Sequence, residues 1–515
     1  MRDVVRRRIA LLPEPTGALL KVAAVIGRDV DLGLLTTASG GDVDEVLDGI
    51  EPAVVHRLLA PVPDRPATFR FSHALVREVV ADDVSALRRA RIHLAVADAL
   101  SATVGDLDDA AEILAEHLWA AAPIGVGQRA AEAMERAADV AVRRYAFESA
   151  ETLLGRAVQL RRTSATTPID AEAELLDASR LLSIQRSVRG YASVGESPHL
   201  RRAKELAVRV DRPDILARLL WTEWAAYDTM CDFDRSDALA RQLFDLAGES
   251  EDPMAQVAGR AAMAISRWHH GVVGEASDLM DKAVAAGTAV QLPAMTMGLD
   301  LEVLLLPHPF SLYLHVLTGA EDARSGEAAF EVLAAAAPDR YAVSLVEMFA
   351  AAGALATGEP EWAERAARRG IEADPESTFS FWGRGLHAYL AVALVDQGRL
   401  DEGLEHIEVA IDRFIDVGGR TGVGLYRAIL AGGLAAAGRL AEAEPALRAA
   451  RRELDLYDER FAEPLVLEAE ARVRHARGDD PEAVAGVFAE AIALAEGQGA
   501  HGIAGRLRRS VDEIG

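Results

Sequence analysis

Lysine is nearly missing from this chain: Lys21, Lys204 and Lys282 are the three among 55 basic residues. A phosphate-binding P-loop needs a lysine behind a glycine-rich turn to reach the β- and γ-phosphates. None of the three follows a glycine, and GRDVDLG (27–33) has no lysine and too few glycines, which excludes ATP hydrolysis by a P-loop within these residues. Cysteine is rarer still: Cys231 stands alone, so there is no internal disulfide and no thiolate metal cage. Aromatic residues make up only 5% although half the chain is hydrophobic. With alanine abundant, that composition suits helices packed through small side chains better than a strand-rich sandwich.

Net positive charge is lacking too. At −26 the chain is a poor ligand for nucleic-acid phosphates in general. No long apolar run exists: the most apolar window, Met297 to Leu317, is interrupted by Asp300, Glu302, His308 and two prolines, and reads as buried helix ends and not a membrane span. The start MRDVVRRRIALLPEP has no continuous apolar core for a signal peptide. A soluble, cytoplasmic protein is expected. No Ser/His/Asp set with a nucleophile elbow occurs. The adjacent His269 and His270 would face different sides of a helix, without a Cys or acidic partner at ligand spacing. No enzyme activity, cofactor or metal is expected.

What is present is a repeat. ATGEPEWAERA, DQGRLDEGLEH, AAGRLAEAEPA and ARGDDPEAVAG place Gly358, Gly398, Gly438 and Gly478 forty residues apart. Seven positions before each glycine stands Ala351, Ala391, Ala431 or Ala471, and five after it Ala363, Gly403, Ala443 or Ala483. An apolar residue follows four later: Ala367, Ile407, Leu447 and Val487. Small residues twelve apart around a glycine turn are what two tightly packed antiparallel helices need, and this is the tetratricopeptide spacing on a longer period. Upstream copies are Ala138/Ala150 and Ala264/Ala276, with Ala226/Ala238 weaker. The remainder of the chain has room for roughly ten helix pairs stacked into a superhelix with a concave face.

The first hundred residues differ. Pro13, Pro15 and Gly27 bracket a short helix, Gly40 and Gly41 close a second, and Asp42 or Asp44 caps a third. LLAPVPDRPATFRFS (58–72) then reads as two short extended runs around a proline turn, followed by helix. The expected fold class is all-α: a winged-helix-like domain with a short β-ribbon over 1–105, then a tetratricopeptide-like α-solenoid over 106–515.

AAVIGRDVDLGLL, HRLLAPVPDRPATFRFSHALVREVV and RRARIHLAVADAL resemble the segment that follows the ATPase core in large bacterial STAND-class regulators of the LuxR and MalT type. In that family an ATPase precedes the winged helix, a tetratricopeptide superhelix follows it, and a DNA-binding helix-turn-helix often ends the chain. Ser72-His73-Ala74-Leu75 is similar to a Met-His-Asp-Leu motif of related switches, whose histidine contacts the nucleotide β-phosphate. The resemblance implies a ligand-sensing, partner-binding module of a transcriptional regulator without its ATPase and helix-turn-helix, either a split piece or a stand-alone relative. His73, with Arg77 one turn later, would then meet a phosphate only on a separate ATPase chain; otherwise His73 is an ordinary residue of a helix start.

Two further groups are candidates. Arg88, Arg89 and Arg91, with Arg2, Arg6, Arg7 and Arg8, form the one basic cluster, for DNA bound by the winged helix or for an acidic surface of this chain or a partner. The DNA-binding repressor is the alternative function. Trp221, Trp224 and Tyr227 at helical spacing, and Trp268 with His269, are core packing or else project into the groove to hold a small effector or a protein partner.

Overall fold

The structure is a computed structural model and describes residues 2–103, 108–164, 167–288 and 302–514. Among them are 27 α-helices and one three-stranded sheet. The chain falls into two compact units, Met1–Leu181 and Leu182–Gly515. The boundary expected at 105 lies outside the described residues. No described helix is long and apolar enough to cross a membrane.

In the first unit, a proline in the first turn opens the helix Glu14–Ile26 and Gly27 ends it. Asp31 caps Leu32–Ser39 by accepting from Leu34 N at 2.8 Å. Asp42, not Asp44, caps Val43–Val55, accepting from Asp44 N and Glu45 N. The extended runs are β2 (Leu59–Pro61) and β3 (Thr68–Phe71), and β1 (Asp29–Asp31) adds a third strand in the order β1-β3-β2, antiparallel throughout. β1 went unseen in the sequence because three residues are too few to show alternation. It is pinned by its cross-strand partner: Arg70 grips the Asp29 carboxylate at 2.5 and 2.7 Å. Leu20, Val30, Leu35, Ile50, Phe71 and Val79 join helices and sheet in one core.

The second unit is a tetratricopeptide-like solenoid. From Pro213–Thr229 onward, the first helix of a pair packs on its own second helix and on the first helix of the next pair. First helices such as Arg340–Ala356 are buried on most sides, whereas second helices such as Leu440–Tyr457 keep a wet face. Gly358, Gly398, Gly438 and Gly478 all sit in the turn with φ between 75° and 84°, the left-handed conformation that closes the first helix. Ala351, Ala391, Ala431 and Ala471 are buried at the crossing. Gly403 shows why that crossing needs small residues: a Cβ there would meet Val395 Cγ2 at 2.5 Å and Ala391 O at 2.9 Å. Ala483 and Ala238 depart from the expected pattern, being exposed, with Val484 and Ala240 taking the buried places beside them.

Successive turns of the superhelix touch. Arg420 N donates to Thr229 O at 2.7 Å, and Val273 N to Gln498 O at 3.0 Å. The last helix, His501–Ile514, docks on much earlier repeats: Arg506 donates to Leu355 O and Arg509 to Thr357 O. Gly502 lies so close to the Val316 carbonyl that no side chain fits. These contacts tie successive turns of the superhelix to one another.

Candidate functional site

The first helices of successive repeats turn one face inward. Trp221, Trp224, Ala225 and Asp228 from Pro213–Thr229 stand at helical spacing, as do Phe310 and Tyr313, and Met348, Phe349 and Ala352. With Trp268, Phe381, Trp382 and Phe461 they line a cavity of about 90 Å³. The rings pack on one another: Trp268 stacks on Phe461 with centroids 3.9 Å apart, and Trp221 lies 4.6 Å from Trp224.

Two polar centres flank this aromatic wall. Glu302, 1% exposed, accepts hydrogen bonds from Tyr191 Oη at 2.6 Å, from Trp221 Nε1 at 3.1 Å and from Tyr341 Oη, and pairs with Arg186 at 3.2 Å. Burial, then the Glu302 charge, pushes the Tyr191 and Tyr341 hydroxyls well above their usual range, so both remain donors. At the second centre His269 Nε2 lies 3.3 Å from Asp228 Oδ2, and His269 Nδ1 lies 3.8 Å from Glu459. Glu459 also accepts from Gly422 N at 3.0 Å. Burial raises the Glu459 carboxyl to about 7, against the pull of His269. For His269 burial opposes the charge, but Asp228 and Glu459 outweigh it and raise the pKa. The Cys231 thiol is driven up by burial and by Glu459 and Asp228, which leaves it a packing group and a poor nucleophile.

A second cavity, about 200 Å³, lies between later repeats and the last helix, lined by Asp396, Gly432, Gly433, Glu468, Arg472 and Arg506. Its charges satisfy one another: Arg506 reaches Glu468 at 2.9 Å and Asp396 at 3.3 Å, Arg472 reaches Glu468 at 3.0 Å, and Ser510 donates to Glu468 at 2.6 Å. That arrangement seats the helix and offers nothing to a ligand. Among the described residues no cluster of His, Cys, Asp and Glu could hold a metal ion.

Of the groove candidates, Trp221, Trp224 and Trp268 line the aromatic cavity and are also buried core, so the two expectations for them coincide. His269 stands behind the wall. Tyr227 does not line the cavity; the Arg235 guanidinium covers its ring at 5.0 Å. His73 is the exposed N-cap residue of Ala74–Asp82, one position before the first turn, and its side chain makes no capping bond. Arg77 is half-buried, and Arg88, Arg89 and Arg91 are exposed on Ala86–Thr103. Arg2 and Arg6 are engaged by Glu78, Asp82 and Asp83. Sequence reasoning missed Glu302 as a site residue, although an acid inside an apolar window was its signal. Tyr191, Tyr341, Glu459 and Phe461 had no such mark.

No family model matches the chain, and no curated protein matches it by sequence. Among solved structures it is similar to a STAND (Signal Transduction ATPase with Numerous Domains) protein with a tetratricopeptide repeat sensor from Pyrococcus horikoshii, at 12% identity and TM-score 0.41, over 95% of this chain and 64% of that one. This chain thus spans less than two thirds of that protein. It is also similar to the APC/C hetero-tetramer Cut9–Hcn1, at 12% identity and TM-score 0.44, over 83% of this chain and 76% of that one. The fold stands on the helix pairing described above.

Proposed function

We propose that this chain is the sensing and partner-binding part of a STAND-type transcriptional regulator, a binding protein and not a catalyst. The observation that supports it best is the aromatic cavity, whose walls come from many successive repeats. A ligand held there would touch helices far apart in sequence and so bias how tightly the superhelix closes, which is differential binding between two states. The first unit has the helix, strand, helix, helix, hairpin order of a winged helix, and in this reading it relays that state to an ATPase on a separate chain. His73 and Arg77 are its candidate phosphate contacts, at a helix start that favours anions.

The test is retention of a small molecule. The full chain is incubated with a polar metabolite extract, desalted, and its bound fraction identified by mass spectrometry. Wild type is expected to retain a compound that Ala352→Phe, which fills the cavity, does not. Equal retention by both, or none by either, overturns the reading.

The exposure of Arg88, Arg89 and Arg91 favours a second reading, a DNA-binding repressor. Gel shifts with the full chain across a salt series separate the two. Binding that survives physiological salt and needs Arg88 and Arg89 supports the repressor.

A further inference from the structure

The aromatic cavity is unfinished at one place. Trp224 Nε1 and Asp228 Oδ1, one helical turn apart on Pro213–Thr229, have no hydrogen-bond partner among the described residues, although their residues are 2% and 6% exposed. Both residues line the cavity. Buried polar atoms are nearly always paired, so a donor and an acceptor left open side by side call for a bound group.

Charge and wall chemistry narrow the class. Among the described lining residues the charged side chains are Asp228 and Glu302, both acidic, with no lysine or arginine on the wall. Arg186 compensates Glu302 from behind. Among the described residues Asp228 is paired with His269, on its other oxygen, and His269 is shared with Glu459. Around them stand the faces of Trp221, Trp268, Phe310, Phe381 and Trp382, whose π-clouds attract positive charge. Size sets a limit: a cavity of about 150 Å³ takes benzene, so about 90 Å³ admits only a compact group smaller than benzene.

We infer that the cavity binds a small organic ammonium ion, held by the aromatic faces and by Asp228 Oδ1, with any acceptor it carries placed on Trp224 Nε1. This deepens the sensor reading above and rests on it.

The test uses tetramethylammonium chloride on the full chain, read by calorimetry and by tryptophan fluorescence, beside tert-butanol as an uncharged molecule of similar shape and sodium chloride at equal ionic strength. Tetramethylammonium is expected to bind saturably and at least about tenfold more tightly than tert-butanol, and Asp228→Asn to weaken it about tenfold. Circular dichroism checks that Asp228→Asn is folded; if it is not, the wild-type comparison of the two probes decides. Equal binding of both probes overturns the cation inference and leaves a sensor of neutral ligands. Binding of neither, while wild type still retains a metabolite that Ala352→Phe loses, overturns the inference alone. Binding of neither with no metabolite retained overturns both.

Discussion

The two cavities of the second unit are built from the same repeats and treat polar atoms in opposite ways. Around Arg506 the charges described have an opposite charge or a hydroxyl within reach, and the rest of the lining is small and aliphatic residues. Around Trp224 the wall is large rings, and a donor and an acceptor are left open. The lesson is that filling a superhelix and leaving a site in it are separate design problems. Saturated polar groups hold the turn shut, and unsaturated ones wait for something else.

Substitutions can sharpen that contrast. Arg506→Ala has the largest expected effect, because it strips one of two cations from buried Glu468, the cation beside half-buried Asp396 and the donor to Leu355 O, at a cost of about 3–5 kcal/mol in a urea unfolding curve. Gly502→Ala drives a Cβ into the Val316 carbonyl and shifts the last helix, with an expected loss of about 1–3 kcal/mol. At the aromatic cavity the lever is pH. Glu459 has a folded pKa of about 7 against an ordinary 4.5, so its contribution to stability is complete below pH 4.5 and is lost as pH rises to about 7. His269, also raised, loses its contribution in the same direction. Glu459→Gln is expected to flatten the fall of the thermal midpoint across that window; an unchanged slope would move the titration elsewhere. Trp224→Phe is expected to cost less, about 1–2 kcal/mol, all of it from the ring packing on Trp221 that it gives up, because the N–H it removes has no partner among the described residues. If Trp224→Phe proved as damaging as Arg506→Ala, the contrast between the cavities would fail.

The sequence made the later repeats plain because their turns use glycine. The same left-handed turn recurs earlier on residues that carry no such mark: Tyr145 at φ 58°, Asp211 at 54° and Cys231 at 57°. Cys231 lies one 40-residue period before Gly271, so the lone cysteine is a repeat position in disguise. The interval from Gly271 to Gly319 is longer, which breaks the register between the later repeats and the earlier ones. Of the site, Trp221, Trp224 and Trp268 were visible through helical spacing. Phe461, which lines the cavity, and Glu459, which stands behind it on His269, were not, because successive turns of the superhelix bring them there and that approach leaves no local pattern.

Arg506 meets Leu355 across 151 residues of chain, and Arg509 meets Thr357 across 152. Ordinary solenoids fold by handing order from neighbour to neighbour. This one must in addition bring two remote stretches together, a slow search that cannot begin until the final helix has left the ribosome. The second unit is thus a coil with a clasp: Arg420 already ties one turn to Thr229, but the clasp itself shuts only when the helix His501–Ile514 arrives.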